Sequence, residues 1–173
     1  SEYATFLKGG SNSYGWSDRQ VNLAAKLPGI TGSEGVFYCD LMGTVGDSSD
    51  INVYRFYAMP ENMNRIDLLG GRLPKAADEC LADGYFYDDS SIGSKVTLSL
   101  DNDEDTMDGL LHKTFTIVGY VGSPLYMDMN RGTTSIGSGS IANYFYVPRE
   151  GLDADYYTEI HVTMPGQWKI YSG

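Results

Sequence analysis

At 173 residues and 19.0 kDa the chain is long enough for one domain, or for two small subdomains sharing a seam. Its 12 Lys and Arg face 23 Asp and Glu, a net charge of -11 with pI ≈ 4.4; this excludes nucleic acid as a partner, and it repels an anionic lipid surface unless the acid lies far from the lipid. The hydrophobic fraction of 42% supports a core, while 14 Tyr and 21 Gly favour strands and turns over long helices.

In chain order, SEYATFLKGG at 1–10 lacks the pattern of a signal peptide. No run reaches the roughly 18 apolar residues that cross a bilayer. The expectation is a soluble piece that membrane segments or a leader can flank. Ser17 and Asp18 are N-cap residue types, and DRQVNLAAKL sets Val21 with Ala24 and Leu23 with Leu27 on neighbouring helical turns. Pro28-Gly29 ends that helix. GVFYCDLMG then reads as one strand, and GDSSD as a turn. INVYRFYAM carries apolar residues on both faces, the pattern of a strand buried on both sides. Gly70-Gly71 and Pro74 mark a turn into the short run ECLAD. SKVTLSL and KTFTIVGYV read as two strands, with Val96, Leu98 and Leu100 on one face, joined by the acidic tip DNDEDTMDGLLH. NYFYVP and YTEIHVTM supply two more strands, REGLDAD is a brief helical turn or loop, and MPGQWKIYSG is a terminal extension.

This order predicts an α+β protein, with an α/β subdomain over 1–90 plus 150–173 and a β-rich inserted subdomain over 91–149. The insertion follows if the last strand returns to the first unit.

The chemical motifs test poorly. Asp101, Asp103 and Asp105 alternate like calcium ligands, but Thr106 and His112 stand where an EF-hand loop needs Gly and Glu. In RGTTSIGSG, Ser135 and Ser138 lack the flanking glycines of a nucleophile elbow, Ser138 replaces the phosphate-loop lysine, and Ala142 replaces the last glycine of a dinucleotide fingerprint. Cys39, Cys80, His112 and His161 have no zinc spacing. The two cysteines permit one disulfide, which stays open against two buried thiols. Glu159 and His161 share a strand face and read as solvated; Arg72 reads as a structural ion-pair partner. Neither catalytic residues nor a cofactor are assigned, and no enzyme is expected.

The long connection 123–140, SPLYMDMNRGTTSIGSGS, remains. Tyr126, Arg131, Thr133, Thr134 and Ser135 offer an aromatic, a cation and three hydroxyls. Two readings stand level: a loop that contacts a partner, or one that folds back and caps the sheet through its own hydrogen bonds. On the contact reading, replacing Arg131 and Tyr126 by Ala leaves folding nearly intact.

GGRLP at 70–74, ECLAD at 79–83, IGSKVTL at 92–98, TFTIVGYVGSPLY at 114–126, RGTTSIGSG at 131–139 and YFYVP at 144–148, in this order, resemble the extracytoplasmic (MacB-like periplasmic core) domain of FtsX/MacB-like ABC-transporter permeases, particularly the large permeases of Gram-positive bacteria. LAAKLPGITGSEGVFYCDLM resembles the family's opening helix and strand, so the likeness runs over about residues 17 to 164. The resemblance implies a mixed α/β, porter-like subdomain beside a small β-rich insertion, on the outer side of the cell membrane. It implies a non-catalytic module that transmits ATP-driven motion and touches substrate or partner proteins. The implied partners are a cytoplasmic ATPase subunit, reached through the membrane part, and a second permease as a homodimer or pair. The alternative is a free secreted or surface binding protein, an adhesin for glycans or peptides, whose exposed aromatics would cluster around 120–146.

Overall fold

The computed structural model describes residues 2–8, 17–60, 66–108, 110–122, 131–151 and 159–164, with the backbone alone at 2–8, 34 and 159–164. In chain order the elements are β1 (Glu2–Lys8), α1 (Asp18–Ala24), β2 (Gly32–Val36), β3 (Tyr38–Val45), β4 (Asn52–Ala58), β5 (Asp67–Gly71), β6 (Glu79–Asp83), β7 (Lys95–Leu98), α2 (Glu104–Asp108), β8 (Thr114–Gly122), β9 (Ile141–Val147) and β10 (Glu159–Met164). The protein is mixed α/β, rich in strands and with short helices, as the Tyr- and Gly-rich composition predicts.

Two compact units emerge, Ser1–Phe37 with Ala154–Gly173, and Tyr38–Asp153. The second interrupts the first, because β10 pairs with β1 and β2. The seams differ from those expected. Residues 38–83 do not belong with the helix; β3, β4 and β6 pair with β7, β9 and β8 in a single sheet. Such pairings join residues far apart in sequence, and local patterning carries no mark of them. For the same reason GVFYCDLMG is not one strand. It is cut at Phe37, with β2 pairing to β10 and β3 to β4.

In the first unit, α1 starts where its capping residues predict. The Ser17 N–H donates to Gln20 Oε1 at 2.8 Å, satisfying a donor that the first helical turn leaves unpaired. Ala24 is buried against Val21 and Ile30, while Leu23 and Leu27 are exposed. Gly29, with φ +81°, turns the chain after Pro28. The sheet here is three-stranded, in the order β1-β10-β2.

The second unit holds the core. Its sheet runs β5-β8-β6-β9-β4-β3-β7, and a further β7–β8 pairing joins it to itself. The strands β8, β6, β9, β4, β3 and β7 therefore form a closed ring, with β5 attached outside it along β8. Closure leaves these strands no free edge. Every strand of the ring sends alternate residues to one buried cluster: Leu41; Tyr54 and Phe56; Cys80 and Ala82; Val96 and Leu98; Phe115 and Ile117; Phe145 and Val147. The rings of Phe56 and Phe145 stack at 5.5 Å, and Phe115 lies 5.9 Å from Phe56. Each such fully buried side chain is worth about 1.5–3 kcal/mol of removal from water. The ring is filled by its own side chains.

The double-faced burial predicted for INVYRFYAM is present. Val53, Tyr54, Phe56, Tyr57 and Ala58 of β4 are all buried. Outside the ring, Tyr57 stacks on Tyr146 at 5.4 Å and meets Tyr38 at 5.5 Å. Leu100 departs from its expected face. β7 ends at Leu98, and Leu100 is 88% exposed, because Asn102 takes over the pairing to β3. The Met42 N–H donates to Asn102 Oδ1, and Asn102 Nδ2 donates to the Met42 and Ser99 carbonyls, at 2.7, 2.7 and 2.9 Å. One side chain thus stands in for a stretch of strand, and the acidic tip beyond it folds into α2 rather than a simple hairpin turn. Cys39 and Cys80 are free thiols, and desolvation pushes the Cys39 thiol up to about 12.

Candidate functional site

The expected contact residues fall into three groups. Tyr126 lies outside the described residues. Arg131 is buried, at 3% exposure. Thr133 and Ser135 are exposed and Thr134 is half-buried.

Arg131 is held at the end of β6. Its Nη2 donates to Asp83 Oδ1 at 3.0 Å and its Nε to Asp83 Oδ2, and both side chains are 1% exposed. The guanidinium carbon also stands 5.5, 5.3 and 5.5 Å from the ring centroids of Tyr85, Phe86 and Tyr144. A planar, weakly hydrated guanidinium suits such a site, with a carboxylate fork at its rim and aromatic faces around it. Asp83 is itself fixed by the turn that follows. Its Oδ1 accepts from the Tyr85 N–H at 3.1 Å, its carbonyl accepts from Phe86 and Tyr87, and the Gly84 N–H donates to the Val121 carbonyl. Tyr144 Oη donates to the same carbonyl at 3.2 Å.

The cation of Arg131 is therefore not offered on a surface, and the expectation that its loss leaves folding intact is corrected. A carboxylate and a guanidinium removed from water together form a lock, and breaking one half leaves the other charge buried and unpaired.

Beyond the lock the chain closes on itself. Thr133 bridges to Ser140, the Thr134 N–H donates to the Gly139 carbonyl at 3.1 Å, and the Ile141 N–H donates to that of Gly132 at 3.1 Å. Gly132, Gly137 and Gly139 sit at φ +98°, +53° and +80°, which explains the glycine spacing that mimics a phosphate loop. Over 131–141 the self-capping reading describes the backbone, and the hydroxyls of Thr133 and Ser135 remain on its exposed side.

Other candidates resolve as structure. Arg72 grips Glu79 with both ends of its fork, at 2.9 and 2.6 Å, as its ion-pair reading expects. The Lys75 and Ala76 N–H groups also point at Glu79 Oε2. Arg72, then Lys75, hold the Glu79 carboxyl down at about 2. Glu159 and His161 occupy β10 opposite Val36 and Glu34 of β2. Among the described residues no group of three His, Cys, Asp or Glu is placed to hold a metal ion.

A surface missed in the sequence lies beside the lock. Leu68 and Leu69 of β5 are 39% and 51% exposed, and Tyr85 and Phe86, edge to face at 5.1 Å, are 56% and 44% exposed. Leu69 reaches the turn, since a side chain added at Gly84 would meet its Cδ1 at 2.7 Å. The available signal was the aromatic pair in DGYFYDD, apolar residues inside a polar turn. By contrast Tyr144, Phe145 and Tyr146, in the stretch where a glycan binder would expose aromatics, are buried.

No protein-family model matches the chain, and no curated protein matches it in sequence. Solved structures do share its fold. The extracellular domain of the noncanonic ABC-type transporter YknZ from Gram-positive bacteria matches over 95% of this chain and 84% of its own, with a TM-score of 0.53 and 9% identity. The periplasmic region of MacB from Actinobacillus actinomycetemcomitans matches over 96% of this chain and 76% of its own, with a TM-score of 0.55 and 12% identity. The chain thus has the fold of a MacB/FtsX-like periplasmic domain, the class to which the ordered motifs pointed. No helix among the described residues is long and apolar enough to cross a membrane.

Proposed function

We propose that this chain is the extracytoplasmic part of an ABC-transporter permease of the FtsX/MacB kind, held on the outer side of a cell membrane and working with a cytoplasmic ATPase. One observation carries the reading: 95% and 96% of this chain match in fold the extracellular domain and the periplasmic region of two such transporters. The packing supports a mechanical role. A closed, side-chain-filled ring transmits displacement without deforming, and the buried Asp83–Arg131 lock stiffens the connection between β6 and β9. On this reading the domain is non-catalytic; it moves with the membrane part and presents surfaces to substrate or partner proteins. A second permease subunit completes the assembly.

The test is made on the full-length gene product in its host. Expected are membrane helices flanking this segment, cleavage of the segment by protease added outside intact cells, and co-purification with an ATPase subunit. Release of the protein into the medium without a membrane anchor would overturn the reading.

A further inference from the structure

In the first unit β10 finishes at Met164, opposite Glu2, where β1 starts, so the chain enters β1 and leaves β10 at one end of the sheet. β2 begins at that same end, since Gly32 pairs with Thr163. The turn that carries the chain from α1 into β2 therefore lies there too. It is tight, with the Ile30 N–H donating to the Leu27 carbonyl at 3.1 Å, and residues 26–29 are all exposed. α1 itself leans on β2 through Val21, whose carbonyl accepts from Ser33 Oγ. Arg19, Leu23 and Lys26 recur at helical spacing on the face turned away from Val21 and Ala24.

Leu23 and Leu27 are 52% and 55% exposed, with the exposed cations Arg19 and Lys26 beside them. Neither cation is held by a carboxylate among the described residues. The one acid on α1, Asp18, stands at its first residue, at the far end from the turn. Apolar groups flanked by Lys and Arg are the composition of a segment that rests in a lipid interface, the cations reaching up to headgroup level. The distribution of charge agrees. Ser1–Phe37 with Ala154–Gly173 holds five acidic and four basic residues, and Tyr38–Asp153 holds 18 acidic and eight basic. The smaller count includes Glu2, Lys8, Glu34, Asp155, Glu159 and Lys169, whose side chains lie outside the described residues. The acid that repels an anionic surface thus belongs to the other unit, and the unit carrying α1 is close to neutral. We propose that α1 and its Pro28-Gly29 turn contact an anionic lipid surface, with Leu23 and Leu27 entering the interface and Arg19 and Lys26 meeting the headgroups. This rests on the permease reading, which puts a bilayer where the chain enters β1 and leaves β10. Position at that end selects lipid over an acidic protein surface.

The probe is a vesicle of phosphatidylcholine and phosphatidylglycerol that carries nickel-chelating lipid and a photoactivatable diazirine in its acyl chains. The whole 173-residue chain is tethered to it by a polyhistidine tag after Gly173, and labelled peptides are mapped by mass spectrometry. Expected is labelling centred on Leu23–Pro28, lost on vesicles without phosphatidylglycerol and unchanged when the tag precedes Ser1. Arg19→Gln and Lys26→Gln should each lower it about fivefold. Leu23→Ser with Leu27→Ser should abolish it, and melting should stay the same in every variant because these side chains are exposed. The proposal falls if the label maps elsewhere or is absent, or if removing the cations leaves it unchanged. It also falls if sedimentation of the untethered chain shows a dimer that Lys26→Gln abolishes, since a second copy would then cover this face. The two readings fail separately. Flanking membrane helices with no labelling here would remove the lipid contact and keep the permease; labelling here with a protein released into the medium would remove the permease and keep a lipid-binding face.

Discussion

Arg131 shows how one residue type supports opposite readings. In a glycine- and hydroxyl-rich loop a lone arginine suggests recognition, yet its fork is closed on Asp83 and its faces are covered by Tyr85, Phe86 and Tyr144. Arg131→Ala or Asp83→Ala should therefore destabilise the protein by about 3–5 kcal/mol in urea unfolding, while the double replacement Asp83→Leu with Arg131→Met should cost much less, because no charge is stranded. Glu79 is half-buried and acts differently. Its folded-state carboxyl sits near about 2, below the ordinary 4.5, so the unfolded chain binds the extra proton between those values. Its stabilising contribution is complete above pH 4.5 and is lost as the pH falls toward 2. Unfolding midpoints measured across that range should fall for the native chain and change less for Glu79→Gln.

At the scale of elements, the motif GGRLP takes its meaning from β8. Gly71 has φ +74°, and a Cβ there would stand 2.3 Å from the Val118 carbonyl oxygen. At Gly70 it would enter the Tyr120 ring, and at Gly119 it would meet the Gly70 and Arg72 carbonyls. Two strands approach so closely because neither carries a side chain at the crossing, where Gly71 pairs with Gly119. Gly71→Ala should cost about 2 kcal/mol or more, from left-handed backbone and steric conflict together. Gly122→Ala, whose added carbon would have only ordinary contacts at 3.9 Å, should be nearly neutral. Thermal melts of the two variants compare them directly.

At the scale of the whole molecule, the ring and its insertion between β2 and β10 dominate. Tyr38–Asp153 contains the complete closed ring and its core. Expressed alone, this unit should fold cooperatively, with amide protection in β4, β6, β8 and β9. Ser1–Phe37 without Ala154–Gly173 should not fold, because among the described residues β1 and β2 each pair with β10 and with no other strand. Circular dichroism and hydrogen exchange on the two fragments test both statements. A fold with most of its order in long-range strand pairs also predicts slow folding relative to a helical domain of this size.

Local physics made much of this readable. The Ser17 cap and Pro28-Gly29 stop bracket α1, ECLAD is β6 to the residue, and apolar residues on both faces of INVYRFYAM announced a doubly buried strand. Each is a signal within a few residues, and periodicity or capping records it directly. Ordered weak motifs were enough to reach the permease-domain fold. The structure alone decided which strands are neighbours: the cut at Phe37, the parallel β4–β9 pair and the closure of β7 on β8. It alone decided that Arg131 is inside and that Leu69, Tyr85 and Phe86 are outside. Burial and pairing partner depend on what distant chain covers, and a residue's own neighbours in sequence carry no record of that.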